Sequence, residues 1–358
     1  MQKRKKLKIA QIAPLWFSIP PKKYGGTERI VSFLTEELIK KGHEVTLFAS
    51  GDSKTKARLF SVYPESLIKA GYKWQDPFWN LENLSEVFKR ANNFDILHSH
   101  LDVWTLPFQQ LTKTPVLHTL HNQLYKASIT REGEKRPSRL DIFERHKRET
   151  LAVFISKSER EKSAVRLPKS WVIYNGIDTS QFKFNPEPED HFIWIARIDP
   201  FKGIENAIAV AERAGVKLLL AGRLDPYRKD YFEERIRPHL SSKIKYLGEL
   251  SGKELSNFYE KARACLYPIE WEEPFGLVMT EAMACGTPVI AFDRGSAKEV
   301  VKDGKSGFVV NNIKEMVKAI RKIDKIKRED CRKWVEEKFD YRRMVDDYEN
   351  LYYKIITK

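Results

Sequence analysis

The segment that decides the fold is WEEPFGLVMTEAMACGTPVIA, residues 271–291. Its pattern predicts a loop, a helix and a strand, in that order. Gly276 would let a ligand approach the helix N-terminus, where unpaired backbone amides and the helix dipole favour an anionic group such as a diphosphate. Glu273 precedes the helix and Glu281 lies inside it, so both carboxylates can face a ligand and accept hydrogen bonds from sugar hydroxyls. Taken as isolated acids, either is more often a surface residue or a helix cap.

Short apolar runs alternate with longer amphipathic stretches on the N-terminal side of this segment, a pattern typical of βα units around a parallel sheet. The predicted strands of the first half are residues 8–12, 45–49, 96–98, 116–119 and 152–155. The pattern restarts after a proline- and acid-rich stretch, and the predicted strands of the second half are residues 192–195, 217–221, 244–246, 265–267 and 288–291. We therefore predict an α/β chain of two domains, residues 1–168 and 169–340.

Two predicted helices bear on this organisation. Residues 27–41 carry apolar side chains at helical spacing, with Thr27 as the expected cap and Gly42 after the end. The tail, residues 341–358, has apolar residues at spacings of three and four, which make one broad stripe on a final helix. Such a stripe needs a partner surface to cover it.

The composition fits a globular chain of this size. Of 358 residues, 42% are hydrophobic and 32% charged, which excludes a disordered chain. The formal charge of +15 invites a nucleic-acid or membrane interpretation. However, the lysines are mixed with glutamates along predicted helices, as on a solvated surface with ion pairs. Three widely spaced cysteines make neither a disulfide framework nor a metal-binding pair, so we expect a reducing cytoplasm.

Residues 271–291 resemble the glutamate pair of glycosyltransferase family 4, retaining enzymes of the GT-B fold. Glu273 and Glu281 have the family spacing of eight positions. The neighbours that also match the family pattern are Pro274, Phe275, Gly276, Ala282, Gly286, Pro288 and Val289. Further matches, in family order, are residues 24–29, 42–46, 120–122, 175–178, 196–203, 221–222 and 247–248. The resemblance implies two Rossmann-like domains that face across a cleft, with residues 341–358 crossing back to the first domain.

The same resemblance implies a donor-binding second domain and an acceptor-binding first domain. Arg197 and Lys202 are similar to the cations that hold the donor diphosphate, where positive charge stabilises the leaving group. Glu273 is similar to the glutamate that contacts the donor sugar, and Glu281 to the one that binds the ribose. The backbone amides expected to complete this site are those of Phe275, Gly276, Leu277 and Val278.

Glycines are expected wherever the backbone approaches the donor. Gly25 and Gly26 resemble the family's first glycine loop, which meets the β-phosphate where a side chain would obstruct contact. The base is expected near the loops that follow Gly222 and Gly248. Uracil and guanine both stay open as the base.

Four histidines of the first half form a possible cluster. His121 aligns best with the histidine that lies near the transferred sugar in relatives, and His118 is the competing choice. With His98 and His100 they suggest a metal site, since imidazole is a common ligand. No closely spaced cysteine or acidic ligands accompany these histidines, and the family pattern requires no metal at this place. We therefore predict no metal and no cofactor here. We likewise do not expect a metal at residues 346–347.

The implied reaction moves a hexose from a nucleoside-diphosphate sugar, of the UDP-glucose or GDP-mannose type, to an acceptor hydroxyl with retention of configuration. His121, Arg197, Lys202 and Glu273 are the expected catalytic residues. The alternatives are a GT-B sugar-nucleotide epimerase or phosphorylase, because one fold hosts several chemistries. A basic nucleic-acid-binding protein is the alternative of another class. The sequence contains no recognisable aromatic-basic motif of nucleic-acid-binding proteins, so nucleic acid is not an expected partner.

The acceptor is a sugar, a lipid or another small molecule. The aromatic residues that could stack on it are Trp16, Phe17, Tyr24, Trp74, Phe78, Trp79 and Trp104, although aromatic residues are at least as often part of a core. The basic stretch 126–139 leaves open a peripheral contact with the inner face of the membrane.

Overall fold

The computed structural model describes residues 4–22, 25–72, 77–124 and 138–357. The chain forms two compact units, of which the first comprises Met1–Gly176 together with Tyr341–Lys358 and the second Ile177–Asp340. Each unit contains a parallel sheet with helices between its strands. The α/β architecture of two Rossmann-like units is therefore confirmed.

The first unit has a seven-stranded sheet of order β3-β2-β1-β4-β5-β6-β7. Its strands are β1 (Lys8–Ile12), β2 (Glu44–Phe48), β3 (Arg58–Phe60), β4 (Ile96–Ser99), β5 (Val116–Leu120), β6 (Leu151–Phe154) and β7 (Ser170–Val172). The helices between them are α1 (Gly26–Lys40), α2 (Phe78–Lys89), α3 (Arg139–His146) and α4 (Lys157–Glu161). The central strands β4 and β5 are buried along their whole length, as expected for a parallel sheet covered on both faces.

The second unit has a six-stranded parallel sheet of order β10-β9-β8-β11-β12-β13. Its strands are β8 (Phe192–Ile195), β9 (Leu218–Ala221), β10 (Ile244–Tyr246), β11 (Ala264–Tyr267), β12 (Val289–Phe292) and β13 (Gly307–Val310). Its helices are α5 (Ile204–Ala214), α6 (Lys229–Tyr231), α7 (Gly252–Lys261), α8 (Leu277–Ala284), α9 (Ala297–Val300), α10 (Ile313–Ile320) and α11 (Arg328–Lys338). The acid- and proline-rich stretch around residue 187 is an irregular connection inside this unit.

All ten predicted strands are present, with ends displaced by at most about one residue, as is usual for strand boundaries. The prediction missed β3, β7 and β13. The first two are three-residue edge strands, too short to show alternation, and β13 begins at Gly307, a residue type depleted in strands. The Thr27 cap was wrong, because α1 begins at Gly26 and its N-cap is Gly25 without a side-chain hydrogen bond.

The final helix, α12 (Tyr341–Ile356), packs on the first unit. Its buried stripe contains Met344, Val345, Tyr348, Leu351 and Tyr352, while most of its charged residues are exposed. Tyr341 stacks on Phe33 of α1 with ring centroids 5.0 Å apart. The predicted return of the tail to the first unit is confirmed.

No helix among the described residues is both long enough and apolar enough to span a bilayer. Most of the basic stretch 126–139 lies outside the described residues, as do Tyr24 and Trp74.

Candidate active site

The candidate donor residues of the second unit follow the carboxyl ends of three adjacent strands. Arg197 and Lys202 lie in the loop after β8, Gly222 follows β9, and Glu273 belongs to the loop after β11. In open parallel sheets, ligands bind outside the carboxyl ends of the strands. The topology therefore brings residues that are far apart in sequence to one edge of the sheet.

Glu273 is the centre of a hydrogen-bonded group at this edge. Its Oε2 accepts hydrogen bonds from Lys202 Nζ, Tyr267 Oη and Trp271 Nε1, each at 2.9 Å. The Lys202 ammonium also lies 4.3 Å from the centroid of the Trp271 ring, within the range of a cation–π interaction. The structure thus joins two of the predicted site residues directly.

Tyr267 keeps its proton in this environment. Burial and the adjacent Glu273 carboxylate raise the pKa of Tyr267 well above its usual range. Its hydroxyl is consequently a permanent donor to Glu273. Because all three hydrogen bonds go to Oε2, the other carboxylate oxygen, Oε1, accepts none from the residues the structure describes. That oxygen can accept a hydrogen bond from a ligand hydroxyl.

Arg197 lies between two aspartates without a close bond to either. Its Nη2 is 3.9 Å from Asp199 Oδ2, and its Nε is 3.9 Å from Asp225 Oδ2. Both distances exceed hydrogen-bond range, so the aspartates act on the guanidinium only electrostatically. Its buried Nε has no hydrogen-bond partner within the described part of the chain. A guanidinium held in this way is suited to bind phosphate oxygens.

Two further arginines complete a charged group around Arg197. Arg228 Nη2 donates to Asp199 Oδ2 at 3.0 Å, and Arg223 Nη2 lies 2.8 Å from Asp225 Oδ1. Three arginines therefore share two aspartates. The excess positive charge favours an anionic ligand at this edge.

The loop before α8 is held in place by the residues that precede α9. The Ser296 backbone N–H and hydroxyl donate to the carbonyl oxygens of Glu273 and Phe275, at 3.0 and 2.7 Å. The Gly295 N–H donates to Glu272 Oε2 at 2.6 Å. Gly276, the N-cap of α8, has φ 79°, a conformation that favours glycine. These contacts present the first amides of α8, those of Leu277 and Val278, without intrahelical acceptors.

Gly222 is required by a close approach of two loops. Its φ is 144°, and a Cβ there would lie 1.7 Å from the carbonyl oxygen of Ala196. The residue thus lets the β9 loop pass beside the strand end that carries Arg197. This contact explains the glycine by packing and says nothing by itself about a ligand.

Glu281 lies on the first turns of α8 and is 5% exposed. Its Oε2 accepts a hydrogen bond from Tyr259 Oη at 2.8 Å. Glu281 also contributes to the raised pKa of Tyr267, so its carboxylate lies close enough to that ring to act on it electrostatically. It belongs to the same region as Glu273 but to a different hydrogen-bonded group.

The histidines of the first unit form a hydrogen-bonded network with α12. His98 Nδ1 lies 2.7 Å from Tyr352 Oη and its Nε2 lies 2.7 Å from Thr119 Oγ1. His100 Nε2 lies 3.1 Å from Gln11 Oε1, and its Nδ1 lies 2.9 Å from His121 Nε2. The Gln11 amide nitrogen donates to Tyr352 Oη at 3.2 Å, which closes the connection.

These contacts assign the proton positions on the imidazoles. Gln11 Oε1 can only accept, so His100 Nε2 carries a proton and His100 Nδ1 accepts. His121 Nε2 must then be the donor to His100, which leaves His121 Nδ1 as an acceptor. Burial lowers the pKa of His121 to about 4, so this ring is neutral near pH 7.

His118 is the other histidine considered at this position. It is fully buried, and its Nε2 lies 3.0 Å from Gln109 Oε1. His121 is partly exposed and follows the carboxyl end of β5. The geometry favours His121 over His118 as the residue that meets a ligand.

The predicted first glycine loop precedes α1. Gly25 has φ 145°, and a Cβ there would lie 2.7 Å from Pro21 Cβ. Gly26 is the first residue of α1. Glu28, which the sequence analysis did not single out, is buried in the first turn, and burial raises its pKa to about 7 against a hydrogen bond from its own backbone N–H.

Among the residues that the structure describes, no three histidine, cysteine or acidic side chains are arranged to hold a metal ion. Asp346 instead pairs with Lys41, at 2.6 Å. The aromatic acceptor candidates differ from one another. Phe78 is 75% exposed, whereas Trp79 makes a tilted ring contact with Tyr63 and Trp104 packs against the core beside α2.

Several residues of the site were not predicted from the sequence. Tyr267, Asp225, Arg228 and Ser296 reach it through tertiary packing, from strand ends and loops that are separate in the chain. The signal that could have found them is position, because each lies at the end of a predicted buried strand or in the connection that follows one. Trp271 was part of the quoted segment, but its indole contact with Glu273 was not predicted.

Two α/β units, each with a parallel sheet, and the cation–carboxylate group at the carboxyl edge of the second sheet are features of the GT-B class. Two family models match the chain: Glycosyltransferase Family 4 over residues 24–181 and Glycosyl transferases group 1 over residues 177–340. The chain belongs to glycosyltransferase family 4 and is a glycosyltransferase.

Similar proteins agree with this assignment. An uncharacterized glycosyltransferase of Methanocaldococcus jannaschii, MJ1607, is 27% identical, with 84% of this chain and 85% of that protein covered. Sucrose-phosphate synthase from Thermosynechococcus elongatus superimposes with a TM-score of 0.81 at 22% identity, covering 99% and 100% of the two chains. Anabaena HepE, solved in complex with UDP and glucose, superimposes with a TM-score of 0.72 at 19% identity, covering 96% and 99%. The two structures show the fold.

Proposed function

We propose that this glycosyltransferase moves a hexose from a nucleoside-diphosphate sugar to an acceptor hydroxyl with retention of anomeric configuration. The observation that carries the proposal is the Lys202–Glu273 pair beside the N-terminus of α8. One ligand with a diphosphate and a hydroxylated sugar would use both groups. The relative solved with UDP and glucose supports a donor of this kind.

The residues have separate proposed roles. Arg197 and Lys202 bind the diphosphate and stabilise the charge that develops as the glycosidic bond breaks. Glu273 Oε1 accepts a hydrogen bond from a sugar hydroxyl, and Glu281 binds the ribose. The amides at the start of α8 donate to the anionic part of the donor. The leaving phosphate takes part in removing the proton of the acceptor hydroxyl.

The first unit is proposed to bind the acceptor, with His121 as its residue in the reaction. The neutral ring of His121 donates through Nε2 to His100, so its Nδ1 can accept a hydrogen bond from an acceptor hydroxyl, and the ring adds no positive charge at pH 7. The acceptor is a sugar, a lipid or another hydroxyl compound. A reducing compartment such as the cytoplasm fits the three cysteines, which are all buried and free.

A panel of UDP-, GDP- and ADP-sugars tests the proposal by thermal shift. A donor that binds only the native state raises the melting temperature by mass action. Arg197→Ala should abolish that shift, while Lys253→Ala, which changes an exposed lysine of α7, should retain it. A panel without any shift in the wild-type protein would contradict a nucleotide-sugar donor.

Product analysis with the active donor then separates the reaction types. Transfer requires an acceptor and yields a product with the donor's anomeric configuration. An epimerised nucleotide sugar formed without acceptor indicates the epimerase alternative, and phosphate-dependent cleavage of a glycoside indicates the phosphorylase.

A further inference from the structure

A cavity of the first unit lies away from its candidate active-site residues. Its volume is about 820 Å³, and it is lined at the amino ends of β1, β2 and β3 by Lys8, Glu44 and Arg58. His121, in contrast, follows the carboxyl end of β5. The lining includes none of His98, His100 and His121, so the cavity is separate from the proposed reaction site.

The cavity exists because one helix covers only part of a sheet face. The register places Lys8 opposite Glu44 and Thr46 opposite Arg58, so these side chains share one face. Helix α2 packs on the carboxyl part of that face, through Leu84 and Val87, and ends at Lys89. The amino part of the face is left open beyond the helix end.

Five cations and two acids line the cavity: Lys5, Lys6, Lys8, Arg58, Arg90, Glu44 and Asp95. Asp95 is already satisfied by the Lys8 backbone N–H at 2.7 Å and by Lys5 Nζ at 3.5 Å. Arg90 is paired with Glu86 at 2.5 Å. Neither residue therefore balances the remaining charge.

The side chains of Lys6, Lys8 and Arg58 have no ion pair within the described part of the chain, and all three are exposed. Glu44, the other acid of the lining, makes no ion pair within the described part of the chain. Three cations around a concave surface raise its positive potential and concentrate anions there. An anion would complement the charge of this group.

Apolar surface lies beside these cations. Phe48 and Phe60 pack with ring centroids 5.2 Å apart, and Phe94 completes this part of the lining. Phe60 and Phe94 are partly exposed. The volume falls within the roughly 300–1,000 Å³ of small-molecule sites and is large for a single inorganic ion. A cationic rim over an aromatic floor suits a molecule with phosphate at one end and a flat or apolar body.

We propose that this cavity is a binding site for an organic phosphate. The phosphate contacts Lys6, Lys8 and Arg58, and the organic part packs against Phe60 and Phe94. The site is additional to the donor site of the second unit and does not depend on the proposed reaction.

Isothermal titration calorimetry of the full-length chain tests this site. The measurement uses Arg197→Ala/Lys202→Ala protein, which removes the proposed donor site, with ADP and glucose 6-phosphate as separate probes. One equivalent of at least one probe should bind, more weakly at 500 mM than at 50 mM salt because added salt screens the exposed charges. The probe that binds identifies a nucleotide or a sugar phosphate as the source of the phosphate.

Two cavity variants are expected to change the binding affinity in opposite directions. Lys6→Ala/Lys8→Ala/Arg58→Ala should weaken binding at least tenfold, whereas Glu44→Gln, which removes an acid from the lining, should tighten it several-fold. The matched control Lys253→Ala/Lys314→Ala/Lys325→Ala removes three exposed lysines of the second unit and should change nothing. Circular dichroism checks that each variant is folded. No saturable binding of either probe, or binding that is unchanged in both cavity variants, would overturn the proposal.

Discussion

At the scale of single residues, Glu273 combines two tasks in one carboxylate. Oε2 holds Lys202, Tyr267 and Trp271, whereas Oε1 accepts no hydrogen bond from the described residues. Replacing the carboxylate therefore affects both the ligand and the position of the lysine. Glutamine keeps the size of the side chain but removes the charge that pairs with Lys202.

We expect Glu273→Gln and Glu273→Ala to lower kcat by about 10²–10³-fold or more, since loss of one preorganised transition-state contact costs about that much. Glu270→Gln, in the same loop but exposed, is the matched control and should retain activity. Circular dichroism and steady-state kinetics are the measurements. A folded Glu273 variant with near-normal turnover would remove this residue from the site.

Arg197 and Lys202 lead to a second prediction. Because two side-chain cations are proposed to neutralise the diphosphate, transfer should survive treatment with EDTA. Arg197→Ala and Lys202→Ala should each reduce turnover, and added Mg²⁺ should not restore it. Wild-type activity that is lost in EDTA and recovered only with Mg²⁺ or Mn²⁺ would show that a metal does this work.

Glu28 predicts a pH-dependent stability. Burial raises its pKa from 4.5 to about 7 in the folded protein. The native state thus retains a proton that the unfolded chain loses first, so its stability contribution is complete below about pH 4.5 and is lost as the pH rises through about 7. Glu28→Gln imitates the protonated form and should be more stable at pH 8, by up to about 3 kcal/mol, from the two pKa values at about 1.36 kcal/mol per unit.

The measurement for Glu28 is the melting temperature of both proteins between pH 4 and pH 8. The two curves should converge at the acidic end. Glu37→Gln, on the same helix but not fully buried, should show no comparable divergence. Parallel curves for Glu28→Gln and wild type across the range would contradict the prediction.

At the scale of elements, α12 is joined to the interior of the first unit by polar as well as apolar contacts. Tyr352 contacts His98 and Gln11, and Tyr348 Oη lies 2.9 Å from Thr119 Oγ1. On the surface, Glu349 lies near Lys41 at 2.9 Å and His43 at 3.0 Å. The helix thereby supports the hydrogen-bonded chain that ends at His121.

Deletion of residues 341–358 should lower the stability of the protein by several kcal/mol and impair transfer, because it exposes the apolar surface under Tyr348 and Leu351 and breaks the network at His98. Thermal denaturation and turnover are the measurements. Tyr353→Phe is the control and should have little effect, since it removes one exposed hydrogen bond, from the Tyr353 hydroxyl to the Lys5 carbonyl oxygen. An unchanged melting temperature together with unchanged turnover in the truncated chain would exclude this role.

At the scale of the whole molecule, the formal charge of +15 is accompanied by ion pairs with acidic side chains. Surface ion pairs occur on both units, among them Lys89–Glu86 and Arg263–Asp324. The local excess of positive charge at the cavity beside β1, β2 and β3 suits a small anion. It does not form a long basic surface of the kind that binds a nucleic-acid backbone. We therefore expect no tight binding to nucleic acid.

Titration with a random single-stranded oligonucleotide tests this expectation. At physiological salt the affinity should be no better than the about 10⁻⁴–10⁻⁶ M of non-specific binding. Submicromolar binding at that salt concentration would revive the nucleic-acid alternative.

Most of the strands, the final helix and the family could be predicted from the sequence. Short apolar runs predicted ten strands, because strands of a covered parallel sheet are buried on both faces. The helical spacing of apolar residues predicted the stripe on α12, because one face of that helix is buried. The spacing of Glu273 and Glu281 and the ordered motifs indicated the family. Short edge strands such as β3 were not predicted, since three residues are too few to show a hydrophobic pattern.

What only the tertiary structure decided is which side chains meet. Lys202 and Glu273 are 71 positions apart and bond because β8 and β11 are neighbours in the sheet. The protonation of His121 depends on Gln11, from the first strand of the chain. The cavity with Lys8 and Arg58 depends on where α2 ends. Local periodicity encodes the elements, but contacts between distant residues depend on strand order and packing, which no short stretch of sequence contains.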